Sequence, residues 1–250
     1  MSSQSGSAGH LDIGGVFEAT AEIYKKCFGT VWIVALVLLI PAAVIMAILG
    51  NEGVLGLLGS LVNLVATAWL LGSVIRIVQD VEEDGRVDWS VGEILGSVTG
   101  RLFWIIVLQL VVAILVGIGL IFFIIPGVIL ALMWAVSMPS LVVENKSVSD
   151  AMSRSSELTK HNRMRILGVV LLILAIYVVI AVVGALLVAA VPVLGALILV
   201  AVGVLAYPYF AIISTVLYYR LRELKDGVVV AVEETAIVEE SIDPPPTPGT

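Results

Sequence analysis

Three unusually long apolar stretches, residues 31–79, 102–143 and 166–219, constrain this chain more than any other feature. A membrane-crossing helix needs about 20 predominantly apolar residues, so each stretch is too long for one crossing. Each is also interrupted near its middle: by Gly50-Asn51-Glu52-Gly53, by Pro126-Gly127, and by Pro192 with Gly195. Glycine and proline are the strongest local turn markers. The pattern predicts three transmembrane hairpins, with six helices at about 31–50, 54–78, 102–124, 127–143, 166–190 and 194–219. Composition agrees: hydrophobic residues make up 60% of the chain and charged residues 13%, half the charge content of an average soluble protein. A water-soluble enzyme, a disordered regulator and a disulfide scaffold are all excluded.

The expected fold class is all-α: a polytopic membrane protein with six transmembrane helices in three hairpins, each hairpin preceded by a cytoplasmic amphipathic helix. Orientation follows from Lys and Arg, which are retained on the cytoplasmic side. Lys25 and Lys26 precede helix 1; Arg76, Arg86 and Arg101 lie between helices 2 and 3; Lys146, Arg154, Lys160, Arg163 and Arg165 lie between helices 4 and 5. Arg220, Arg222 and Lys225 follow helix 6. All 13 basic residues thus fall on one side, and both termini are expected in the cytoplasm of a prokaryotic cell, with the chain in its cytoplasmic membrane. No cleavable leader is evident before helix 1, which is expected to remain as an anchor. Trp32 and Trp104 fall at the expected cytoplasmic interface, whereas Trp69 and Trp134 are expected to pack between helices.

The segments before helices 1, 3 and 5 share a pattern. Asp12-Ile13, Ser90-Val91 and Ser147-Val148 each pair a helix N-cap with an apolar residue, and Glu93 and Asp150 follow their caps by three residues, as in a capping box. Val16, Phe17 and Thr20, then Ile94, Leu95 and Val98, then Ala151, Met152 and Ser155 each mark one helical face. The expected unit is an amphipathic helix, a basic cluster and a hairpin, repeated three times; three unrelated interfacial linkers would give the same pattern. Gly92, Gly96 and Gly100 either seat the second of these helices against a neighbour or merely loosen it.

Little chemistry is available. Asn63, Thr67, Ser73, Gln109, Ser137, Tyr177, Tyr207, Ser214 and Thr215 are the polar side chains of the expected membrane core, and Asn63 and Gln109 are expected to hydrogen-bond between helices. With no carboxylate there, coupled transport is disfavoured. Pro139 and Pro208 are expected to kink helices 4 and 6 and free carbonyls for neighbours. The lone Cys27 cannot close an intramolecular disulfide, and His10 and His161 lack metal-ligand spacing. Neither a cofactor nor a metal is expected, and an acidic chain with net charge −7 does not suit nucleic acid.

Glu144, Asp150, Arg154, Glu157, Lys160 and His161 form the densest polar cluster. Helical spacing offers the surface pairs Asp150–Arg154, Arg154–Glu157 and Glu157–His161. Alternatively Arg154, Lys160, Arg163 and Arg165 hold anionic head groups, each worth about 1 kcal/mol near an anionic surface, and with Glu144 they are the candidate lipid or partner contacts. The expected domain plan is a disordered N-terminus at 1–11, a membrane domain at 12–226 and an acidic, Pro-rich tail at 227–250. Val228–Val232 in that tail is a candidate strand on a partner.

Ile125-Pro-Gly-Val-Ile-Leu130, Trp134, Pro139, Glu144, Ser147 through Ser155 and Leu158-Thr-Lys160 carry a family resemblance. Gly15-Val-Phe-Glu18, Tyr24-Lys-Lys-Cys-Phe-Gly29 and Tyr218-Tyr219-Arg220-Leu-Arg222 fit the same pattern. Over residues 12–226 the chain resembles the six-helix membrane domain associated with bacterial glycerophosphoryl diester phosphodiesterases, which also occurs as stand-alone proteins. In the fused proteins the resemblance places the chemistry in a separate barrel with a His-Arg start and a Glu-x-Asp metal motif. Here His10 precedes Leu11 and His161 precedes Asn162, and the stretch after Gly227 is expected to be too short for that barrel. The expectation is therefore a non-catalytic, lipid-associated scaffold or partner-recruiting membrane module, whose partners are membrane lipids and a cytoplasmic or membrane protein. The alternative is an uncoupled translocator of a small uncharged or lipidic substrate.

Overall fold

A computed structural model describes residues 11–50, 52–191 and 208–227. Secondary structure among them is helical throughout: α1 (Ile13–Leu49), α2 (Gly53–Asp84), α3 (Val91–Thr99), α4 (Leu102–Phe122), α5 (Ile124–Met133), α6 (Ser137–Val143), α7 (Val148–Thr159) and α8 (Arg163–Ala190). Residues 208–227 form a further helix, α9. Five segments are long and apolar enough to cross a membrane: α1, α2, α4, the α5–α6 pair and α8. The sixth expected crossing, 194–219, lies partly outside the described residues, as do residues 1–10, Tyr207 and the tail from 228.

The three expected N-caps are present. Asp12 accepts the Gly14 N–H at 3.0 Å, Ser90 and Glu93 close a full capping box, and Ser147 accepts the Asp150 N–H at 3.2 Å. Each satisfies one of the backbone donors that a helix start leaves unpaired, worth about 1 kcal/mol. The first cap does not open a separate helix, however. The segment before span 1 and the span itself are one 37-residue helix, about 56 Å long, because nothing between Lys25 and Val31 breaks the backbone ladder. Arg76, expected in the segment between helices 2 and 3, lies inside α2, which continues to Asp84 and ends at Gly85 in the left-handed region (φ 77°).

The second hairpin turns at Phe123, three residues before Pro126. Pro126 thus falls in the first turn of α5, where its missing N–H has no partner to lose. The hairpin is closed by glycine: a Cβ on Gly127 would lie 2.7 Å from Leu120 Cα, so only hydrogen fits between the two backbones.

The span that follows breaks at Trp134–Val136, ahead of Pro139, and α7 repairs the break. With Ser137 N–H turning to Trp134 O at 3.1 Å, Met133 O is released, and it accepts Ser155 Oγ at 2.8 Å and Thr159 Oγ1 at 3.4 Å. Ser155 Oγ in turn accepts the Val136 N–H at 3.3 Å. The break thus lies at 134–136 rather than at Pro139, which sits in the first turn of α6, and the carbonyl it frees is satisfied by a neighbouring helix, as burial of a backbone polar group demands.

Two apolar clusters hold the basic end. The larger joins α1, α2, α3, α5, α7, α8 and α9 through residues such as Val31, Leu70, Ile94, Leu158, Ile166, Ile212 and Val216. The smaller joins α2, α4, α6 and α7 through Ile75, Leu108, Leu141 and Ala151, with Val98 of α3. The faces marked in sequence turn inward: Val16 and Thr20, Ile94 and Val98, and Ala151 and Ser155 are buried against the protein. Gly92, Gly96 and Gly100 face open space, so among the described residues the glycine row seats nothing. Trp69 packs between helices as expected, its indole N–H donating to Leu95 O at 3.1 Å. Among the described residues the expected interhelical bond of Gln109 is not made, and its Oε1 is buried without a partner there. Thr67 and Thr215 instead bond carbonyls four residues back in their own helices, the local alternative open to a short hydroxyl.

Candidate functional site at the basic end

The sharp turn from α6 into α7 is made by Asn145, the one non-glycine residue with positive φ (53°) among those described; asparagine tolerates that conformation better than most side chains. The turn places Glu144 and Lys146 beside α7 and α9. Glu144 is the hub. One oxygen accepts Tyr218 OH at 2.6 Å and Arg154 Nε at 3.2 Å; the other meets Lys146 Nζ at 2.9 Å. Arg154 also donates through Nη2 to both carboxylate oxygens of Asp226, at 3.1 and 3.2 Å. Asp226 meets Arg222 at 3.4 Å, and Lys225 meets Glu157 at 3.3 Å.

This network corrects the intrahelical pairs suggested by spacing. Arg154 engages neither Asp150 nor Glu157; its partners lie 10 and 72 residues away, and Glu157 pairs with α9 rather than with His161. Tertiary pairing wins because the guanidinium is withdrawn from water, its side chain only 17% exposed, and a desolvated charge needs a close, hydrogen-bonded counter-charge. Asp226, the last residue of the expected membrane domain, belongs to this network. Burial alone would raise Glu144, but bonds from Tyr218, Lys146 and Arg154 and the Arg154 charge hold it below the usual carboxylate range. Burial alone would likewise lower Arg154; its bonds to Asp226 and Glu144 more than offset this, and it stays charged.

The other candidate contacts lie around the start of α8. Lys160 and His161 are exposed, while Arg163 is half-buried with its Nε enclosed and unpartnered. Arg165 donates to the Leu11 carbonyl, and Asn162 Oδ1 accepts the Leu11 N–H at 3.2 Å, so the chain leading into α1 is pinned to the α7–α8 junction. Lys160, Arg163 and Arg165 have no carboxylate partner among the described residues. The structure thus divides the five candidates: Glu144 and Arg154 lock helices together, and three cations at the head of α8 carry unneutralised charge. Sequence reasoning missed Tyr218 and Asp226, whose distance along the chain leaves no periodic signal.

Neither the curated proteins nor the solved structures provide a match. A family model described as "Uncharacterised protein family (UPF0259)" matches residues 53–220, from the start of α2 into α9. With well over half of its length matched, the chain belongs to that family.

Proposed function

We propose that this chain is a non-catalytic, six-span integral membrane protein of the prokaryotic cytoplasmic membrane, with its basic end in the cytoplasm. There it holds anionic lipid head groups and presents a rigid, multi-helix platform to a protein partner. The observation that carries this reading is the contrast at the basic end between Arg154, fully engaged by Glu144 and Asp226, and Lys160, Arg163 and Arg165, which have no counter-charge among the described residues. Cations at a membrane surface attract anionic lipid at about 1 kcal/mol each. The segments at α3 and α7 are amphipathic elements tied to the bundle, and the three capped units are one repeat. The likeness to the membrane domain of glycerophosphoryl diester phosphodiesterases belongs to the same proposal: the chain would share the membrane module and lack the phosphodiesterase activity.

One observation favours translocation of a lipidic substrate instead. Between α1 and α2 an apolar groove of about 380 Å³ is lined by Val37, Pro41, Ile45, Leu61, Val65 and Trp69, among others. Mass spectrometry of co-purified lipid together with a liposome flux assay separates the two readings. Retained anionic lipid without flux supports the platform; flux by the purified chain alone supports translocation and removes the platform as the primary role.

A further inference from the structure

Beyond the head of α8, two further arginines have no bonded carboxylate among the described residues. A Cβ on Gly72 would lie 2.6 Å from Val98 Cγ1 and 2.8 Å from Ile105 Cδ1, so α2 and the start of α4 are in close contact at this level. The two helices run antiparallel. One turn toward the basic end, on the same helix faces, α2 carries Arg76 and α4 is preceded by Arg101. The charges of Arg76 and Arg101 act on one another, and Tyr219 of α9 feels the carboxylates of Glu83 and Glu82 as well as Arg222 and Arg76. Neither arginine forms a salt bridge among the described residues. Arg76 Nη1 donates to the neutral amide of Gln79 at 2.8 Å, and Arg101 Nη1 donates to Lys146 O at 3.3 Å. Glu83, whose charge acts on Arg76, accepts from Gln79 rather than from the guanidinium. Three polar atoms here are buried without a partner: Arg76 Nε, Tyr219 OH and, one turn earlier on α2, Ser73 Oγ.

Two half-buried guanidinium groups side by side repel each other, and each unmet donor carries its full desolvation cost. One anion with several acceptor oxygens resolves both problems, and the planar fork of arginine matches phosphate geometry. From this juxtaposition we infer that Arg76, Arg101 and Tyr219 form a phosphate-binding site between α2, α4 and α9, at the level where these helices leave the apolar region. The phosphate is carried by a lipid head group or is free in solution. For the lipid source the inference deepens the platform reading and rests on it, adding a second site made of other residues than Lys160, Arg163 and Arg165.

The test uses the full chain in detergent, with native mass spectrometry and thermal melting in the presence of phosphatidylglycerol, phosphatidylcholine or inorganic phosphate. Wild-type protein should retain phosphatidylglycerol over phosphatidylcholine, and R76Q/R101Q should lose that preference by on the order of tenfold. Y219F should weaken it several-fold. R76K/R101K, which keeps the charge and the fold but loses the fork, should melt like wild type and still bind less. Stabilisation by inorganic phosphate that R76Q/R101Q abolishes identifies free phosphate as the source. Unchanged phosphatidylglycerol and phosphate responses in both arginine pairs of variants overturn the site. If R163Q/R165Q alone removes lipid preference, this site fails and the platform reading stands; if wild type shows no preference for either anion, both fail.

Discussion

At the basic end, Glu144, Arg154, Tyr218 and Asp226 tie α7 and α9 to the end of α6, and the buried side chains of seven helices interlock above them. Farther along α8, Leu171, Leu174, Val178 and Val182 each remain more than half exposed. Only 11% of the most apolar windows of α4 and α8 is buried within the protein, against 39% for the α5–α6 span that α7 braces. The difference follows from the solvent each region meets. In water, apolar burial drives helices together; in hydrocarbon, side chains such as Leu gain little by leaving lipid, and association rests on close packing and hydrogen bonds. The specificity of this fold is accordingly concentrated where backbone breaks, caps and charges require particular partners.

Removing the hub should give the largest effect. Glu144→Ala leaves Arg154 half-desolvated and Tyr218 OH without its acceptor, and should cost about 2–4 kcal/mol, read as a lower melting temperature in detergent. A loss no larger than that of an exposed α8 substitution would erase the contrast between the two ends. Next, Ser155→Val strips Met133 O and Val136 N–H of the hydroxyl that serves both, and should cost about 1–3 kcal/mol. Hydrogen exchange should then rise locally at 133–137, whereas a uniform rise would mean that α7 does not brace this break.

Acid should act on the same hub. Because the folded protein holds Glu144 below the ordinary carboxylate range, its stabilisation is complete above the unfolded value of about 4.3 and is lost as pH falls through the lower folded value. Melting temperature should therefore hold from pH 7 to 5 and fall below about 4. In Glu144→Gln that acid step should shrink, and an undiminished step would assign it to other carboxylates. The smallest effect is expected at the apolar end, where Val178→Ala and Leu174→Ala should each change stability by no more than about 0.5 kcal/mol. A loss of 2 kcal/mol there would show that α8 has a packing partner in the membrane.

What could be read from the sequence was local. The caps at Asp12, Ser90 and Ser147 and the breaks near Gly50 and Pro126 depend on residues within a few positions, and they appear as expected or within three residues. Pro139 was likewise informative, because proline dictates its own neighbourhood. Arg154 was not: four-residue spacing offered Asp150, while the structure supplies Glu144 and Asp226 from other segments. The length of α1 was hidden for the opposite reason, since continuity of a helix leaves no marker and only its absent breaks could announce it. Arg76 and Arg101, 25 positions apart, become neighbours only through Gly72 and Ile105.

Orientation in the membrane is the most direct test of the account, and the protein is suited to it. Cys27 is fully buried, so it gives little background with thiol reagents. Glu52→Cys, in the turn between α1 and α2, and Ser153→Cys, on the exposed face of α7, should be compared in intact cells with a membrane-impermeant maleimide. With the basic end in the cytoplasm, the first labels at once and the second only after permeabilisation. Labelling of Ser153→Cys in intact cells, with Glu52→Cys protected, would put the basic end outside the cell and contradict that placement.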